Sequence, residues 1–149
     1  MNSLVAGAAG AAALTCVHQA AQSRRHDAPR MDVLGMRAIE RGARRLSLTP
    51  PDGERLYRAT MAGDLVANTL YYAIAARTRH PLRTGLVLGA AAGVGALVLP
   101  PVMGLGKPPH IESWANRAMT VAWYTIGGVV AGATGRALAS RTSRRPVAA

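Results

Sequence analysis

Asp64 is a carboxylate set in an apolar stretch, and Thr60, Asn68, Tyr71 and Tyr72 stand around it at helical spacing. An α-helix brings residues three and four apart onto one face, so these side chains predict a polar stripe. Thr15, His18, Gln19 and Gln22 form a second stripe in the first apolar run, and Asn116, Thr120 and Tyr124 extend the theme in the last. An ionised aspartate at the centre of a bilayer costs about 2.5–3.5 kcal/mol on insertion scales. Such an acid needs a partner or a proton. His18, Arg58 and Arg117 are the candidate partners, and His18 with Asp64 has the make-up of an acid–base pair. The plainer use is a structural hydrogen bond from Asp64 to Asn68, Thr15 or a tyrosine, tying helices together. Both uses stay open, and the candidate intramembrane cluster is His18, Asp64, Asn68 and Tyr124.

Other chemistry is thin. His26, His80 and His110 fall in predicted loops, and no two histidines stand at metal-ligand spacing. No catalytic constellation emerges, and no metal or cofactor is implied. Cys16 is the single cysteine, so no intrachain disulfide forms; within an apolar run it reads as a small buried thiol. Thr15 is too large for a lipoprotein cleavage site at Cys16, and no basic residues precede the run. The first run is therefore expected to be a retained helix. Gly85, Gly89 and Gly93 recur every fourth residue, and Gly128 with Gly132 repeats the spacing. Rows of small residues let membrane helices approach closely. Contact within the chain is the expected use, with a homo-oligomer left open. A phosphate-cradling loop is excluded, because no strand precedes these glycines and no Lys-Ser/Thr follows.

The elements that must position these residues follow from where charge is missing. Among 149 residues, only 17% are charged and half are hydrophobic, and the mean hydropathy is +0.12. No charge occurs between Met1 and Arg24, Arg83 and Lys107, or Arg117 and Arg136; a shorter uncharged run separates Asp64 from Arg77. Crossing a bilayer takes about 20 mainly apolar residues. The expected fold is all-α, a single membrane domain built as a four-transmembrane-helix bundle with spans at 4–22, 59–76, 84–99 and 118–135. Pro100 and Pro101 are expected to stop the third. Between the first two spans, Val33, Met36, Ile39, Ala43 and Leu46 alternate with Arg37, Arg41, Arg44 and Arg45. That pattern predicts an interfacial amphipathic helix over 33–48, with Asp32 as N-cap; a solvated helix covering the bundle mouth has the same periodicity.

Tyr57 and Trp114 precede the second and fourth spans, at the depth an aromatic belt occupies. The net charge of +11 would suggest nucleic acid in a soluble chain. Here the arginines flank apolar runs without interleaved aromatics, so the bilayer and its anionic headgroups are the expected partners, with no nucleic acid. A homo-oligomer or another membrane protein remains a candidate partner. More basic residues lie on the side of the long first loop, which predicts that loop in the cytoplasm of a multi-pass bacterial inner-membrane protein. Arg77, Arg79, Arg83, Arg136, Arg141, Arg144 and Arg145 argue the other way.

The segments 31–36, 63–72, 99–106 and 120–128 read MDVLGM, GDLVANTLYY, LPPVMGLG and TVAWYTIGG. Together they resemble a group of small, uncharacterised bacterial membrane proteins. The resemblance implies four spans and transfers no activity. Two function classes follow from the residues. The first is a structural or accessory membrane component held by its polar cluster. The alternative is proton or small-solute binding or transport through a cavity near Asp64. An enzyme ranks third, for want of a nucleophile or metal site.

Overall fold

The computed structural model describes residues 2–143, which form five α-helices and no strand. They are α1 (Asn2–Arg24), α2 (Met31–Arg45), α3 (Gly53–Ala73), α4 (Pro81–Val102) and α5 (Trp114–Ser143), with a 3-10 turn at Ala75–Arg77. Arg144 and Arg145, counted in the charge balance, lie outside the described residues.

Hydropathy marks where apolar character ends, which is not where the backbone stops coiling. α3 begins at Gly53 rather than near residue 59, because Glu54 suits the positive end of the helix dipole and pairs with Arg58 at 2.6 Å. α4 runs through Pro100 and Pro101 to Val102, correcting the expected stop. Those prolines remove only the bonds to the carbonyls of Ala96 and Leu97, in the final turn. The helix closes at Gly104, whose φ of +73° suits a residue without Cβ. There the Leu105 amide donates to the Pro100 carbonyl at 2.8 Å and the Gly104 amide to Pro101 at 3.0 Å. α2 stops at Arg45, short of residue 48, where Ser47 takes a φ of +56°. Its start is also corrected: the helix begins at Met31, and Asp32 makes no capping bond.

α1, α3, α4 and α5 run antiparallel to their neighbours. α5 lies between α1 and α4, α1 lies between α5 and α3, and α2 rests on α3. Glycines seal the α4–α5 contact. A Cβ on Gly89 would sit 2.6 Å from the Tyr124 carbonyl, and one on Gly93 would sit 2.6 Å from the Val121 Cα. Gly85 and Gly128 face each other's backbone, and Gly132 meets Pro81. The row thus packs within the chain. Gly7 and Gly10 on α1 do the same against Thr69 of α3 and Gly127 of α5, a use of small residues that their irregular spacing hides. α3 and α4 touch far less, and the Tyr71 hydroxyl donates across that gap to the Leu88 carbonyl at 3.0 Å.

Leu14, Tyr72, Trp123 and Ala131 centre a small core. Outside it, Val66, Leu70, Val87 and Val98 are each more than half exposed. Among the described residues, two helices, α1 and α4, are long and apolar enough to cross a membrane. α3 is diluted by Asp64, Asn68 and its tyrosines, and α5 by glycines, threonines and aromatics.

Candidate functional site

Where α3 and α4 part, a cavity of about 350 Å³ opens under α2. The stripes foreseen in the sequence supply its polar wall: Thr15 and His18 from α1, Thr60 and Asp64 from α3, Tyr124 from α5. Asn68 does not line the cavity. It turns back one helical turn and donates from Nδ2 to Asp64 Oδ1 at 2.9 Å and to the Asp64 carbonyl at 3.0 Å. Three of the four cluster residues therefore share a wall, and the fourth holds the acid. That bond lies within α3 and joins no second helix.

Asp64 forms no ion pair among the described residues. The suggested partners are engaged elsewhere: Arg58 with Glu54, and Arg117 Nε with the Ile111 carbonyl at 3.0 Å. His18 shares the wall but is held by its own surroundings. Its ring lies 5.1 Å from that of Trp123. Its Nε2 is 2.9 Å from Gln22 Nε2 and 3.2 Å from the Pro29 carbonyl. The short approach of the Gln22 amide is a hydrogen bond when His18 Nε2 is unprotonated and accepts it.

A second carboxylate reaches the wall from α2. Asp32, with a side chain 1% exposed, receives Arg30 Nη2 at 2.7 Å, Arg30 Nε at 2.9 Å and Gln22 Nε2 at 3.1 Å. Burial opposes its ionisation, but the bonds from Arg30 and Gln22 and the guanidinium charge prevail, holding the carboxyl below its ordinary range. The sequence hint was Arg30 two residues before Asp32. Partnership with Gln22 across the α1–α2 turn had no local signal.

α2 is fixed over the cavity by arginines first read as its polar face. Arg37 Nη1 donates to the Leu105 and Lys107 carbonyls, and Arg41 Nη1 to Gly104, all at 3.0 Å. These are the carbonyls just past α4, where a cation also complements the helix dipole. Arg44, Arg45, Leu46 and Leu48 stay exposed. Cys16 corrects another expectation, since its thiol is exposed on the outer face of α1 rather than buried. His26, His80 and His110 are exposed in or beside loops. Comparison with family models, with curated proteins and with solved structures returns no match.

Proposed function

We propose that this chain is a multi-pass bacterial inner-membrane protein that takes a proton or a small solute into the cavity at Asp64. The carrying observation is the cavity itself, walled by an acid that forms no ion pair among the described residues. A hydrogen bond confined to one helix gives the acid no role in joining helices, which weighs against the purely structural use. All four long helices span the bilayer in this reading, because the outward faces of α3 and α4 present valines and leucines. Lipid removes the cost of leaving such side chains unpacked. α5 has 30 residues, or roughly 45 Å at 1.5 Å per residue, enough to cross with a turn beyond each interface. α2 lies along the interface, its exposed Arg44 and Arg45 on anionic headgroups, on the cytoplasmic side.

Reconstitution in proteoliposomes tests this. Asp64→Asn is expected to insert and melt as the parent does while proton or solute flux falls at least tenfold. A variant that destabilises the bundle, with no flux in the parent, would return Asp64 to a structural role.

A further inference from the structure

We propose that the Asp64 cavity binds hydrophobic amines, amphiphiles with a protonated N–H head and a short apolar tail, entering sideways between α3 and α4. The inference rests on the solute-binding reading of the same cavity. Thr60 carries it independently. The residue lines the cavity and is buried, 4% exposed, and its Oγ1 has no hydrogen-bond partner among the described residues. A buried hydroxyl left unsatisfied is unfavourable, and a ligand N–H relieves it once the Thr60 side chain turns its hydroxyl into the cavity.

Charge selects the sign of the head. Among the described residues, Asp64 contributes a carboxylate with no ion pair, Asp32 is neutralised by Arg30, and no lysine or arginine lines the wall. Asp64 and Thr60 lie four residues apart on α3, so one ammonium group can reach both. Trp123 and Tyr124 line the same cavity, and aromatic rings attract ammonium ions. The remaining wall, including Leu14, Leu34 and Ile39, is apolar and suits an alkyl chain.

The route follows from the gaps. α2 covers the end of the bundle, tied down by Arg37 and Arg41. On the side, Gly63 and Ala67 line the cavity and are themselves exposed. A Cβ on Gly63 would meet nothing within 4 Å. The mouth therefore lies along α3 and faces the acyl chains when the bundle spans a bilayer. Molecules already dissolved in lipid reach it.

The full chain in zwitterionic nanodiscs, with Trp114→Phe leaving Trp123 as the one tryptophan of two, supplies the test. Titration with octylammonium at pH 7 is expected to change Trp123 fluorescence saturably. Asp64→Asn should weaken the apparent affinity at least tenfold, Asp64→Glu less than threefold, and Thr60→Val two- to fivefold. Octanol and octyl sulfate should give no saturable change. Should Asp64→Asn fail to fold by circular dichroism, Thr60→Val titrating like the parent would overturn the proposal. So would unchanged affinity in a folded Asp64→Asn. Saturation by octyl sulfate would overturn the amine assignment while leaving a solute-binding cavity intact. No saturation by any probe, together with unaltered flux in Asp64→Asn, would overturn both.

Discussion

α4 has two flanks, and they are built by opposite rules. Towards α5, glycine meets backbone along three turns, and a methyl group would have no room. Towards α3, one tyrosine hydroxyl bridges the gap and a cavity opens below it. Membrane helices gain no hydrophobic drive to associate in lipid, so close packing of small residues must hold them. The flank that has such a row is sealed. The flank without one is left for polar side chains and for whatever enters between them.

Substitution of glycine on each flank should break or sharpen that contrast. Gly89→Leu drives a side chain into the Tyr124 carbonyl and the Thr125 Cα, 2.6 and 2.7 Å from the Cβ position. Overpacking of a tight contact costs about 1–3 kcal/mol and occasionally more; the upper end is expected because backbone cannot rotate aside. Thermal melts in detergent should show the largest loss of stability in the series. Gly63→Leu, on the open flank, should leave the melt unchanged and instead narrow the cavity mouth, reducing flux or ligand binding several-fold. If Gly63→Leu destabilised as much as Gly89→Leu, the two flanks would not differ as described.

The smallest effect concerns the lid. Asp32 has its folded-state carboxyl held below the unfolded value of about 3.9. It therefore stabilises the fold fully above that value, and the contribution is lost as pH falls through the lower folded one. Arg30 is 46% exposed, so solvent screening keeps the gain modest, about 1 kcal/mol or less. Melts between pH 7 and pH 3 should show a loss at the acid end that Asp32→Asn flattens, the variant being already slightly weaker at pH 7.

Much of this arrangement is legible in residue types and spacing. The charge-free runs locate the long helices, the four-residue glycine period locates the sealed flank, and the stripes on α1, α3 and α5 locate the cavity wall. Other features depend on contacts far apart in the chain. Gln22 with Asp32, and Arg37 and Arg41 with the carbonyls after α4, join residues that periodicity treats separately. Boundaries drifted for a local reason: Arg55 and Arg58 lower hydropathy without disfavouring helix, so α3 outruns its apolar stretch. Cys16 is exposed within an apolar run because the outer face of such a bundle is as apolar as its interior, so an apolar setting does not by itself signal burial.

Cys16 now gives the most direct test, since its neighbour faces the other way. Thr15 lines the cavity and Cys16 is on the outer face of α1, roughly 12 Å from the Arg24 end at 1.5 Å per residue. Thiol reagents attack the thiolate, which lipid suppresses and water permits. In intact membranes, a small lipid-permeant maleimide, which reaches both positions through the bilayer, should label Thr15→Cys in a Cys16→Ser background at least tenfold faster than it labels native Cys16. Equal, rapid labelling of both would contradict a membrane-spanning α1, and a silent Thr15→Cys would contradict a solute-accessible cavity.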